Sequence, residues 1–302
     1  MKKIDRRGFL ECMAWAGSGV LWQMGQGTAR GQVLSGHTPM GSGLNFVQIS
    51  DSHIGFSAPA NMDVTGTLQE TVNLINGLAA PPAFLLHTGD ITHLSKPEEF
   101  DTAAEILKSS KAEIFYVPGE HDVMGADSHA YLDRYGKSTQ GDGWYSFDHS
   151  GVHFVGLVNV KLRSAGGFGR LGPDQIEWLR RDLEAKSAST PIVVFAHMPL
   201  WTAYEQWGWG TSDAMEAMQL LRRFGSVSVL NGHIHQTMQK VEGNLFFHTA
   251  MSTAFPQPAP GAASGPGPMV VPADRLRSLL GLTKVGYVAG KSPLAVVDQP
   301  LG

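Results

Sequence analysis

A chain of 302 residues holds one large domain or two small ones. Its composition, 42% hydrophobic and 17% charged, suits a soluble globular protein with a sizeable core, and a net charge of −4 argues against a nucleic-acid-binding face. No run reaches the length of a transmembrane helix, and one cysteine, Cys12, excludes a disulfide framework and a thiolate-built metal site.

In chain order, Asp5-Arg6-Arg7-Gly8-Phe9-Leu10 comes first and resembles the twin-arginine export motif. A modest apolar stretch from Cys12 to Met24 follows, and Gly27-Thr28-Ala29 offers a small-residue cleavage site. Glu11 stands where a basic residue is common. The alternative is a basic N-terminus that does not fold. The resemblance implies a signal peptide over residues 1–29, passage through the twin-arginine export machinery, and a periplasmic or extracellular protein that folds before crossing. Cys12 would leave with the leader.

Residues 30–43 are rich in Gly, Ser and Thr and read as a linker. From residue 44, apolar runs alternate with helical patterns, which predicts a layered α/β fold. The runs 44–49, 83–86, 113–117, 191–196 and 227–230 read as buried parallel strands, near-continuous in apolar residues because both faces are covered. Val64, Leu68, Val72, Ile75 and Leu78 recur at helical spacing, as do Ile176, Leu179 and Leu183. Residues 144–147 and 152–158 read as an antiparallel hairpin. The stretch 255–272 carries too many prolines for a helix or a central strand. Beyond it, 273–282 predicts a short helix, and 285–288 with 294–297 a terminal hairpin. The organisation expected is a catalytic domain over 44–254 with a Pro/Gly-rich extension over 255–302.

Each of the five strand runs ends on chemistry: Asp51-Ser52-His53, Gly89-Asp90, Gly119-Glu120-His121-Asp122, His197, and Gly232-His233-Ile234-His235. Sites in such sheets collect at the carboxyl ends of strands. Carboxylates and imidazoles converging there are what a pair of divalent metals needs. Asp51 with His53, and His233 with His235, are spaced by one residue, so an extended strand end would point both side chains of each pair the same way. Asp90 suits a bridging position because a carboxylate has two oxygens. Gly89, Gly119 and Gly232 are expected to let the backbone turn tightly at these points. His93 shares the loop of Asp90 and reads either as a contact to substrate or as a surface residue. Trp201, Tyr204, Trp207 and Trp209 form an aromatic loop after His197. Trp201 and Tyr204 are candidate substrate contacts; the cluster reads equally as a subunit contact or a lid packed on its own domain. His87 reads as a core residue, and His129, His149, His153 and His248 as structural.

The order and spacing of these motifs resemble the calcineurin-like metallophosphoesterase superfamily, most closely its bacterial cyclic-nucleotide-phosphodiesterase-like branch. Over about residues 44–250 the resemblance implies a two-sheet β-sandwich flanked by helices, with a dinuclear metal site at the strand ends. It implies that Asp51, His53 and His235 hold one ion with Asp90, and that Glu120, His197 and His233 hold the other, the ions being iron, manganese or zinc. It casts His121 as the residue that polarises the phosphate or protonates the leaving oxygen, with Asp122 orienting its imidazole; the alternative for Asp122 is a turn or N-cap residue opening the next segment. The implied reaction is attack of a metal-bridging hydroxide on the phosphorus of a small-molecule or nucleotide diester. Hydrolysis of monoesters is the enzymatic alternative. The family's usual Gly-Asn-His has Glu120 in place of the Asn, which leaves a non-catalytic metal-binding scaffold as a third reading. Neither stable nucleic-acid binding nor a membrane span in the mature chain is expected.

Overall fold

A computed structural model describes residues 20–25, 28–33, 43–124, 129–161, 167–288 and 291–302. The twin-arginine motif lies outside the described residues. Strands β1 (Val20–Gly25) and β2 (Thr28–Val33) pair only with each other. The linker expected at 30–43 therefore begins as strand, because residues 30–33 hydrogen-bond across this hairpin.

The first main sheet starts with β3 (Leu44–Ile49), which pairs in parallel with β4 (Phe84–His87), which in turn pairs with β5 (Glu113–Tyr116). Helices α1 (Val64–Asn76) and α2 (Pro97–Leu107) are the crossovers. The Asp63 carboxylate caps α1 by accepting the Gly66 N–H at 2.8 Å, and Pro97 opens α2 at the position that lacks nothing by losing its N–H. A short helix α3 (His129–Tyr135) leads into the second sheet, made of β6 (Tyr145–His149), β7 (Val152–Gly156), β8 (Ile192–Phe195), β9 (Val227–Asn231), β10 (Met238–Glu242) and β11 (Leu245–Thr249) in the order β10-β11-β9-β8-β7-β6. Helices α4 (Pro173–Glu184) and α5 (Ala214–Leu221) cover its outer face.

Strand alternation divides the core into three layers. Leu44, Phe46, Phe84, Leu86, Phe154, Val193 and Phe195 meet between the sheets. Val47, Ile49 and Leu85 point the other way, onto Val64, Leu68, Val72 and Phe100 of the helices. Burial on both faces is why β3, β4, β8 and β9 read as near-continuous apolar runs. β5 departs from the expectation of a buried strand: it is the sheet's edge, and Glu113 is exposed.

The tail is not peripheral. After α6 (Ala273–Leu276), the expected terminal hairpin forms as β12 (Gly281–Val288) and β13 (Lys291–Pro300). β12 lies antiparallel to β3, with Val285 opposite Phe46, so the sheet runs β13-β12-β3-β4-β5. Leu282 and Val285 are fully buried. A buried polar knot ties this hairpin to the second sheet: His248 lies 3.0 Å from the Asp298 carboxylate, to which the Thr283 hydroxyl also donates at 2.7 Å. His153, likewise structural, sits between the carboxylates of Asp148 at 2.8 Å and Asp182 at 2.7 Å.

Candidate metal centre

The loops that leave β3, β4, β8 and β9, with the one that follows β5, converge at one end of the sandwich. They bring all seven expected ligands together. The ligand atoms of Asp51, His53 and His235 lie within 4.8 Å of one another, as do those of Glu120, His197 and His233. Between the groups stands Asp90, whose Oδ2 is 3.5 Å from His53 Nε2 and 3.3 Å from His197 Nε2. Its Oδ1 accepts the His121 backbone N–H at 2.9 Å, which turns Oδ2 toward both groups. A carboxylate so placed could serve both groups.

The local backbone is not the extended strand end that the one-residue spacing suggested. Asp51, His53, Asp90, His233 and His235 have φ of 56°, 41°, 50°, 70° and 54°, all left-handed. Asp and His are among the few non-glycine residues that enter this region, at a cost of order 1–3 kcal/mol each. Tertiary hydrogen bonds hold the turns: the N–H groups of Asp51 and His53 donate to the carbonyls of Gly89 and Asp90, both at 2.9 Å. Of the three glycines, Gly89 alone has positive φ, 95°. At Gly119 the reason is space, since a Cβ there would lie 2.0 Å from Asp90 Oδ1.

Ring orientations are set from behind. His197 Nδ1 donates to the Thr88 carbonyl at 2.7 Å and His235 Nδ1 to the Phe255 carbonyl at 2.6 Å, so both rings turn Nε2 into the site. A ligating imidazole is characteristically fixed in this way. Phe255 also lays its ring 4.8 Å from that of His53 and 4.7 Å from that of His235. Ser252 Oγ donates to the Asp51 carbonyl at 2.7 Å. Phe255 and Ser252 carried no signal in the sequence, for neither sits near a ligand motif: Phe255 acts through its carbonyl and ring, and Ser252 through a hydroxyl bonded to the Asp51 backbone.

Glu120 reaches the place the resemblance gave it. One carboxylate oxygen is 2.9 Å from His233 Nδ1 and the other 2.9 Å from His197 Nε2. Yet Glu120 Oε2, His197 Nε2 and His233 Nδ1 are buried without a hydrogen bond of acceptable geometry. Buried polar atoms are seldom orphaned, and donors that converge without satisfying one another fit a shared cation. Oxygen and nitrogen donors alone, with three carboxylates among them, suit divalent metal ions.

The electrostatics agree. Burial raises the pKa of Glu120, but His233 and His197 outweigh it and hold the carboxyl well below its ordinary range. Burial likewise opposes the charged form of His197, but Asp90 and Glu120 keep it protonated well above the usual value. His121 is disfavoured as a cation by burial and favoured more strongly by Asp90, Glu120 and the His93 carbonyl, so it too is raised. The pocket thus holds negative charge in excess, which cations would neutralise.

Asp122 does not orient the His121 imidazole as expected. Its carboxylate accepts the backbone N–H groups of Gly119 at 2.9 Å, Ile91 at 3.1 Å and Thr92 at 2.8 Å, and the Thr92 hydroxyl at 2.9 Å. Four short donors occupy it fully, and it staples the Asp90 loop to the Glu120 loop. Burial first, then the neighbouring Asp90, pushes its pKa up to about 6 despite those donors. The His121 ring is held instead by the His93 carbonyl, 2.7 Å from Nδ1. His93 joins the site, its ring 5.0 Å from that of His121 and parallel to it within 14°. Trp201 packs on Phe247 at the edge of the core, and Tyr204 packs on Trp207 and Trp209, so both belong to the aromatic loop. His87 is buried against the Ser52 hydroxyl at 2.8 Å, a core residue as expected.

Sandwich, loop order and donor set together define a metal-dependent phosphoesterase. Residues 44–237 match the Calcineurin-like phosphoesterase family, and the chain belongs to it. It is 22% identical to a 3',5'-cyclic-nucleotide phosphodiesterase of Nostoc sp., over 70% of this chain and 79% of that protein. It is 26% identical to the mouse serine/threonine-protein phosphatase CPPED1, over 66% of this chain and 72% of that one. Among solved structures, a dimetal phosphatase from Danio rerio shares the fold with a TM-score of 0.63 at 12% identity, covering 86% of this chain and 96% of that one.

Proposed function

We propose that this enzyme hydrolyses phosphodiesters in preference to monoesters. The observation that carries the reading is Glu120, a third carboxylate placed between His197 and His233. Two unit charges about 4 Å apart interact by about 4 kcal/mol at an effective dielectric of 20. A diester brings one negative charge to that carboxylate, whereas a monoester near neutrality brings almost two. Glu120 therefore weighs more heavily against the monoester, while the extra anion favours a metal pair of higher total charge, such as iron with manganese or zinc.

Two such ions, held by Asp51, His53 and His235 and by Glu120, His197 and His233 with Asp90 shared, would supply a water of lowered pKa and neutralise charge on the phosphoryl oxygens. Asp90 joins the two halves of the donor set through Oδ2. His121, with Nδ1 committed to the His93 carbonyl, keeps Nε2 for the proton that the departing alkoxide needs. Asp122 keeps the loops bearing Asp90 and His121 in register.

The test compares kcat/KM for bis(p-nitrophenyl) phosphate and p-nitrophenyl phosphate, which release the same leaving group, in the native enzyme and Glu120→Asn. The native enzyme is expected to favour the diester and the variant to move toward the monoester. A native enzyme that favours the monoester overturns the reading. No turnover of either ester by protein holding two ions per chain supports the scaffold alternative. We also propose twin-arginine export, supported by Arg6-Arg7. Replacing both arginines by lysine is expected to hold the chain in the cytoplasm, as cell fractionation would show.

A further inference from the structure

His53 is fixed differently from its neighbours. His197, His235 and His121 each give Nδ1 to a backbone carbonyl, those of Thr88, Phe255 and His93. His53 turns Nε2 toward Asp90 and His235, and its Nδ1 meets the Nδ1 of another imidazole, His93, at 3.4 Å. We propose that His93 is a positioning residue for the metal centre, accepting the Nδ1–H of His53 and thereby fixing the tautomer and ring plane of that ligand.

The argument follows from proton placement and rests on the dinuclear reading above. A neutral imidazole carries one N–H and one lone pair. If Nε2 of His53 is given to an ion, the proton must stand on Nδ1, and its facing partner is His93 Nδ1. That atom must then present its lone pair, so the His93 proton stands on Nε2. Phe56 supports the ring edge-on at 5.2 Å, and the His121 ring stacks against it. The backbone of the same residue holds His121. One residue thus sets the donor atom of a ligand with its side chain and the ring of the proton donor with its carbonyl. Substitution removes the first function and spares the second.

The experiment uses full-length protein stripped with chelator and titrated with zinc by calorimetry. Asn places an acceptor oxygen about where His93 Nδ1 stands; Gln places it further out, where Nε2 stands; Leu has none. The native protein and His93→Asn are expected to bind two ions with similar affinities. His93→Gln and His93→Leu are expected to lose about 10- to 100-fold at one of the two sites, the effect typical of removing a partner from behind a ligand. Equal affinities in all four proteins, or equal losses in Asn and Leu, overturn the role of His93 and leave the dinuclear reading standing. A native protein that binds no zinc overturns both. Matching unfolding temperatures of the stripped proteins confirm that a loss is local, and because His93 is half exposed at the loop surface, the Asn and Gln variants decide the matter even if Leu fails to fold.

Discussion

Asp90 and Glu120 divide the work of charge in the site, and their variants separate accordingly. Asp90 faces both ligand groups through one oxygen, so Asp90→Asn is expected to weaken both ions, reducing metal per chain toward zero by elemental analysis. Glu120 faces only His197 and His233, so Glu120→Gln is expected to weaken one ion by about tenfold or more and shift preference away from a trivalent one. A variant retaining two ions with unchanged metal preference would remove Glu120 from the ligand set. Gly119→Ala tests close packing: its methyl would collide with Asp90 Oδ1, and metal content is expected to fall as in the Asp90 variant. The ligands themselves were legible in the sequence because each followed an apolar run in a recognisable order. Their backbone state was not. The left-handed turns at Asp51 and His53 depend on hydrogen bonds to Gly89 and Asp90, some 40 residues away, and that at His233 on the Asp51 carboxylate, 182 residues away, and no local pattern records such contacts. The role of Asp122 has the same origin: its four donors come from two loops, whereas the sequence offered it only as the partner of His121 or as a local turn or N-cap residue.

Among the elements, the C-terminal hairpin has the largest consequence for stability. β12 covers the edge of β3, the strand that delivers Asp51 and His53. Leu282→Ala, at a fully buried site, is expected to cost about 2–5 kcal/mol in chemical unfolding. Ending the chain after Leu280 would uncover a long apolar strand edge, and insoluble protein is the expected outcome on expression. The hairpin itself was legible from its apolar runs. Its place in the main sheet was not, because pairing with a strand more than 230 residues earlier leaves no trace in either segment. The Pro-rich stretch misled for a related reason: proline content excluded helix and strand, but Phe255 works through a carbonyl and a ring, and neither requires secondary structure.

For the molecule as a whole, acid sensitivity originates partly far from the site. Burial alone would raise the pKa of Asp182, but hydrogen bonds from His153 and Ser146 outweigh it and hold the carboxyl below its ordinary value. A carboxyl so held stabilises the fold at pH above its unfolded value near 3.9, and that stability is lost as pH falls through the lower folded value. Thermal unfolding between about pH 5 and pH 2 is expected to show this loss in the native protein and a shallower decline in Asp182→Asn. At neutral pH that variant is expected to be weaker by about 1–3 kcal/mol, the cost of disturbing a buried, charge-assisted pair. Removing metal acts on the same global balance: chelation is expected to lower the unfolding temperature, since ions held only by the folded state stabilise it by about 2.7 kcal/mol at a hundredfold excess over the dissociation constant.

The antiparallel seam between β3 and β12 also imposes an order in time. Gly281–Val288 leaves the ribosome more than 230 residues after Leu44–Ile49. At about 5–20 residues per second, β3 waits roughly 10–50 s for its neighbour. Phe255, which backs His53 and His235, also emerges about 200 residues after His53. A nascent chain can therefore carry every ligand through His235 and still lack the groups that hold them in place. Metal capture is expected only after these groups have emerged, and a translation arrest placed just before residue 255 should yield chains that contain all seven ligands and retain no ion.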